Sequence, residues 1–394
     1  MVAENTSQDT IIDMSILLLD VPGLHLGYLG FYGNPWVATP NLDRLASQAV
    51  VFDRHFEELR IADCGLRIQA QAAGILKLQS VIEPAENSES LEESFPQVVD
   101  GILAAADEGM SPIWARFPSL ASPWRLSPEL LGIYFQQDSD SDEPAAQARE
   151  PWPDPPVRLP PGDGHLERLQ DTYAAVVTFM DAQIGGLIEE LEERKILDRF
   201  LLVFTSQDAL PLGEHGWIGR QRAWQHEEQV HLPLLMRLPE AAEAGLRIGA
   251  LTQTVDIVPT LLDFLAERSS PGGSGERETM NRATRGFSLW PLIRQEVTEI
   301  RPFACSADQV GDSAERSLRT LDHALLLPLA TPPDDAPRGP QLYVKPDDRW
   351  EVNNVIHHHA EKAEELEKSL RQCSPHAPRE ERAQPSITKL PPSE

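Results

Sequence analysis

The chain has 394 residues, with 34 basic and 62 acidic side chains and a formal charge of -28. That balance repels phosphate backbones and anionic lipid, which argues against nucleic-acid and membrane-surface partners. With 41% hydrophobic residues the chain can bury a large core, so it is globular rather than disordered. No run approaches the 18 apolar residues of a membrane span. The first ten residues lack the basic and apolar regions of a secretory signal, so a soluble cytoplasmic protein is expected. The three cysteines, Cys64, Cys305 and Cys373, are odd in number and far apart, which argues against a disulfide framework.

In chain order, Ile16-Leu-Leu-Leu19 ends at Asp20 and meets Pro22-Gly23, the pattern of a buried strand entering a loop. Thr39-Pro40 reads as N-cap and N1 of a short helix with Leu42, Leu45 and Ala46 on one face. From His165 to Glu193, apolar residues from Leu166 to Leu191 recur every three or four positions, which predicts a long amphipathic helix. Phe200-Leu-Leu-Val-Phe-Thr205 is continuously apolar and predicts a strand covered on both faces. Val255 to Leu265 predicts another helix. Residues 136–164 and 268–285 read as loops, and the tail 374–394 as disordered. Helix followed by buried strand is the layout of a doubly wound sheet, whose ligands sit beyond the carboxyl ends of the strands. Asp20 and Ser206-Gln-Asp208 fall at such ends.

Several segments resemble the sulfatase family of the alkaline-phosphatase-like superfamily. Gly30-Phe-Tyr-Gly-Asn-Pro-Trp-Val-Ala-Thr-Pro-Asn-Leu-Asp-Arg-Leu-Ala46 is similar to its opening signature. Thr205-Ser-Gln-Asp-Ala-Leu-Pro-Leu-Gly-Glu-His-Gly216 is similar to its later one. Asp171–Gly185, His231–Pro239, Val255–Leu265, Gly286–Leu292 and Leu342–Asn354 resemble further family segments, in the family's order. The resemblance implies an α/β fold of the alkaline-phosphatase-like type: a doubly wound mixed sheet with helices on both faces. It divides the chain into a main domain over 1–300 and a small C-terminal subdomain over 301–373.

The resemblance also implies sulfate-ester hydrolysis by a formylglycine made from cysteine or serine, with a calcium-like ion held by carboxylates. A hard cation wants several oxygen ligands, and an anionic transition state needs preorganised positive partners. At the family's first aspartate pair stand Pro22 and Gly23, which cannot ligate; Asp20 lies two residues upstream. The second pair falls on Gln207 and Asp208. Asp20, Gln207 and Asp208 are therefore the vestigial metal candidates, and calcium is the ion the family implies. The nucleophile segment, Ala62-Asp-Cys-Gly-Leu-Arg67, yields Cys64 in one register and Asp63 in the other, with Arg67 beside them; neither register gives Cys-x-Pro-x-Arg. The segment Phe117–Trp124 holds no histidine where the family has its general acids, although His55 and His215 remain. His215 lies in Gly213-Glu-His-Gly216, which reads as a turn. Arg220 stands at a sulfate-binding position.

Two further clusters carry less. His226-Glu-Glu-Gln-Val-His231 spaces its histidines five apart, whereas a zinc-binding helix needs four. His357-His-His359 reads as the start of an exposed helix. The sequence thus predicts a sulfatase-family protein with lost or strongly reduced hydrolysis, binding a sulfate ester or other small anion and open to a protein partner. Two alternatives stand beside it: a metal-dependent sulfate or phosphate ester hydrolase with displaced ligands, and an acidic interaction protein.

Overall fold

The computed structural model describes residues 14–58, 70, 81–85, 88–135, 150–160, 163–269, 286–330 and 338–373. Cys64, Arg67 and Asp63 lie outside them, as do residues 136–149, 270–285 and the tail 374–394.

The first apolar run forms β1 (Ser15–Asp20) and the second forms β5 (Phe200–Thr205). They pair in parallel, with Asp20 opposite Thr205. Alternate side chains enter two separate cores. Leu17, Leu19, Leu202 and Phe204 face one, and Ile16, Leu18, Leu201 and Val203 face the other. Double-sided burial is why both runs lack polar alternation. Between and after these strands come β2 (Val50–Phe56), β3 (Val81–Ile82), β4 (Ile113–Arg116), β6 (Leu234–Arg237) and β7 (Arg247–Gln253). The sheet order is β3-β4-β1-β5-β6-β2-β7, and β6 runs antiparallel to both of its neighbours. It is a mixed sheet, as expected.

On one face lie α1 (Pro40–Ser47), α2 (Leu91–Asp107) and α3 (Leu166–Glu193). The predicted apolar stripe of α3 is buried from Leu169 to Leu191. On the other face packs α4 (Ile257–Ser269), two residues later than the predicted start because Thr254–Asp256 form a single tighter turn. Thr39 does not cap α1 with its side chain. Its Oγ1 accepts from Gly30 N at 2.9 Å instead. The cap comes from α3, where the Asp181 carboxylate accepts from Asn41 N (3.1 Å) and Leu42 N (2.8 Å). A carboxylate at that position also complements the helix dipole, so a tertiary partner displaces the local one.

A second, antiparallel sheet follows, ordered β11-β10-β9-β8: β8 (Ala304–Val310), β9 (Ser313–Arg319), β10 (His323–Ala330) and β11 (Gln341–Val344). Helix α5 (Ala360–Gln372) buries Ala363, Leu366 and Leu370 against it. His359 sits just before α5, as the sequence suggests. One expectation is corrected: Cys305 on β8 and Cys373 after α5 form a disulfide across 68 residues of chain. Sequence distance hid the pair because the helix folds back onto the first strand of its own sheet. No described helix is long and apolar enough to cross a membrane.

Candidate active site

The predicted strand-end residues do come together. Asp20, at the end of β1, is fully buried. It accepts from Gln207 N at 3.2 Å and from Gln207 Nε2 at 2.5 Å, both just beyond β5. Burial pushes its carboxyl up to about 7, against the pull of the Gln207 hydrogen bond and the nearby Arg116. Asp208 has a different task. Its Oδ1 accepts from Gly23 N at 2.6 Å, which ties the β1 loop to the β5 loop. Burial raises the Asp208 carboxyl as well, opposed by that bond.

The loop after β1 is held from a second side by α3. Tyr173 donates its hydroxyl to Gly23 O (2.6 Å) and accepts from His25 N (2.9 Å). Gly23 has φ +78°, and a Cβ there would press on the backbone of Leu120 and Ala121. Pro22-Gly23 therefore supplies a tight turn at the place where the resemblance implies metal-binding acids.

Sequence reasoning missed Arg116. It belongs to no motif, but it is the last residue of β4 and lies in register with Asp20. Its Nε is 3.8 Å from Asp20 Oδ2, with the side chain 44% exposed and Asp20 closed off. The strand register was the signal that could have found it. Here a guanidinium stands beside the carboxylate that a divalent ion would otherwise neutralise.

Arg220 lines a cavity of about 140 Å³ together with Gly23, Asp208 and Ser122. Its guanidinium is clamped by Asp308 of β8, Nε to Oδ2 at 3.1 Å and Nη2 to Oδ1 at 2.5 Å. A bidentate pair of this kind occupies the fork that would otherwise grip a sulfate. His215 sits in the predicted turn, where Gly213 and Gly216 take positive φ. Its ring bonds Glu228, with Nδ1 to Oε1 at 2.8 Å, and lies with Nε2 near Glu351 O at 3.2 Å. Burial opposes its charge, but the Glu228 hydrogen bond and charge outweigh that and lift it to about 9. His55 is buried and bonded to Thr252 Oγ1 at 3.0 Å; burial, with the charges of His231 and Arg301, drops it to about 3.

Two candidate cation sites lie among the described residues. Calcium takes 6–8 oxygens; the strand ends offer two carboxylates and an amide among the described residues. One carboxylate oxygen of Asp208 is bonded to Gly23, and Gln207 presents an N–H to Asp20. His215, His226 and Glu228 place ligand-type atoms within 4.8 Å of one another. The two rings stack at 3.9 Å with planes 29° apart. His215 already spends Nδ1 on Glu228, and Arg338 stands 3.5 Å from His226 Nε2. His231 bonds Glu227 (2.7 Å) and Asp53 O (2.9 Å).

The sulfatase family model matches residues 122–266, which carry α3, β5, the Gly213–Gly216 turn and β6. The chain is 40% identical over 92 residues to the N-acetylglucosamine-6-O-sulfatase of Bacteroides thetaiotaomicron, covering 23% of this chain and 16% of that protein. Arylsulfatase K of Gallus gallus is 26% identical over 215 residues, 52% of this chain and 37% of that protein. A solved protein in complex with its substrate D-glucosamine-2-N,6-O-disulfate superimposes over 91% of this chain and 97% of its own, with a TM-score of 0.66 at 18% identity. Residues 122–266 are thus a sulfatase-family segment, and the chain as a whole has the sulfatase fold.

The chain also shares its fold with the phosphonate monoester hydrolase of Agrobacterium radiobacter (TM-score 0.59, 16% identity, 91% of this chain and 96% of that one). The alignments to the curated relatives span well under half of their length, so they carry kinship rather than a shared activity.

Proposed function

We propose that this protein keeps the sulfatase scaffold while ester hydrolysis is lost or strongly reduced, and that it serves as a binder of a sulfate ester or similar small anion. One observation carries the reading. The carboxylates at the strand ends are used as internal hydrogen-bond acceptors, Asp20 for Gln207 and Asp208 for Gly23. The guanidinium of Arg116 supplies the positive charge beside them. The Arg220–Asp308 clamp and the His215–Glu228 pair support it, since both remove groups that hydrolysis would need. A second reading, a metal-dependent hydrolase of sulfate or phosphate esters with displaced ligands, draws on the closeness of Asp20 and Asp208, which repel each other electrostatically.

The two readings separate in one assay. Purified protein is incubated with an aryl sulfate or an aryl phosphate and calcium, magnesium or manganese. The expected result is no metal-dependent turnover and no rise in melting temperature with calcium, which a bound ion would produce. Metal-dependent turnover that disappears in Asp20→Asn would establish the second reading instead.

A further inference from the structure

A separate cavity of about 280 Å³ lies between the two sheets, and it shares no lining residue with the cavity beside Asp208. Its lining concentrates positive charge in a chain that is otherwise strongly acidic. Arg54 of β2, Arg247 of β7, Arg319 of β9, and Lys345 and Arg349 beyond β11 all face it. Among the described residues two carboxylates, Asp53 and Glu227, line it with them.

The pairings show which cations are committed. Arg247 is matched by Asp53. Arg319 and Lys345 are matched by Glu227 and by Glu351 behind them. Arg54 and Arg349 have no carboxylate partner among the described residues. Arg54 donates Nη1 to the Gly249 carbonyl at 2.6 Å, and Arg349 stacks over the Trp350 ring at 4.8 Å. Both are held in place while their remaining N–H groups stay uncommitted. The β2–β7 register slips between Phe52 and Arg54, and a Cβ at Gly249 would sit 3.4 Å from Arg54 Nη1. A bulge with a glycine at the contact is a standard way to re-aim one strand side chain. Phe56, Leu321 and Pro346 give the cavity an apolar wall.

We infer that this cavity is an oxyanion site: Arg54 and Arg349 grip a sulfate or phosphoryl group whose small organic body rests on Phe56, Leu321 and Pro346. Guanidinium forks match the geometry of tetrahedral oxyanions, and two uncompensated ones have no other local partner. A volume near the lower end of ligand pockets, roughly 300 Å³, admits a monosaccharide-sized ester rather than a polymer. The site does not depend on whether the strand-end cleft turns over substrate.

Isothermal titration at fixed ionic strength tests it with four probes: glucose 6-sulfate, glucose 6-phosphate, inorganic sulfate and inorganic phosphate. The wild-type protein is expected to bind at least one of the two esters saturably and more tightly than the matching free ion. The preferred ester identifies the anion as sulfate or phosphate. Arg54→Ala with Arg349→Ala should weaken that binding at least tenfold, and Arg54→Lys with Arg349→Lys should retain part of it. Arg199→Ala, an exposed arginine elsewhere, should change nothing. Circular dichroism of the double variants confirms that they fold. Should the alanine double variant unfold, the lysine pair decides, since binding identical to wild type would show that the forks are not used. Absence of saturable ester binding, free ions binding as tightly as the esters, or an alanine double variant that binds like wild type would each overturn the proposal. None of these outcomes touches the turnover assay, so loss of hydrolysis and binding at this cavity fail independently.

Discussion

His215 offers the most exacting check on the electrostatics of this molecule. Its ring is 18% exposed and its partner Glu228 is fully buried, with 2.8 Å between them. The folded state lifts the His215 proton affinity from 6.5 to about 9. Each tenfold in proton affinity corresponds to about 1.4 kcal/mol, so the shift amounts to roughly 3 kcal/mol. The sign follows from linkage: the folded chain binds this proton more tightly than the unfolded one. The stabilisation is therefore complete below pH 6.5 and is lost as pH rises through about 9. Asp20 and Glu315, each pushed up to about 7 by burial, also titrate in this range, but they do so in both proteins and cancel in the comparison with a His215 variant. Urea unfolding followed by tryptophan fluorescence, from pH 6 to pH 10, measures the effect in wild type and His215→Gln. The stability gap between the two should be largest near pH 6 and shrink by ~2–3 kcal/mol toward pH 10. A gap that stays constant across the range would refute the reasoning, because His215 would then contribute packing and not charge.

Two more predictions concern the second sheet. Arg319 is buried among Glu227, Glu351, Ser317 and the Gln225 carbonyl, so Arg319→Met should cost about 3–5 kcal/mol by stranding buried carboxylates, read as a lower urea midpoint. The Cys305–Cys373 bond predicts a disulfide-linked peptide in a non-reducing digest, and Cys305→Ser should lower stability by ~2–5 kcal/mol. Finding both thiols free in protein from an oxidising host would remove the bond, whereas finding it intact would argue for an oxidising compartment rather than the cytoplasm.

The fold was legible where one physical pattern dominated. The runs at Ile16 and Phe200 are continuously apolar because helices cover both sides of the sheet, and the stripe on α3 is continuous because one core receives it. Gly286, quoted for its family turn, lies so close to the Val255 carbonyl that any side chain would collide. Other features depend on partners distant in sequence. Asp181 capping α1, Asp308 clamping Arg220 and Arg116 facing Asp20 are each set by tertiary register. At the site, the sequence marked Asp20, Gln207 and Asp208 as metal candidates at strand ends, and the structure brings Asp20 against Gln207 with Asp208 beside them. The sequence could not say that Asp208 would be spent on Gly23 or that His215 would turn toward Glu228, because those choices belong to loops whose path is fixed by contacts. Cys64 and Arg67 lie outside the described residues.

The covalent link from β8 to the end of α5 makes residues 305–373 a closed ring. Lys345, Arg349 and Glu351 all ride on that ring, the first two facing β2 and β7 of the larger sheet. Such a ring cannot peel away one strand at a time from its far end. Amide exchange in β8 to β11 should accordingly collapse toward a single slow rate, and chemical reduction should split that rate into several.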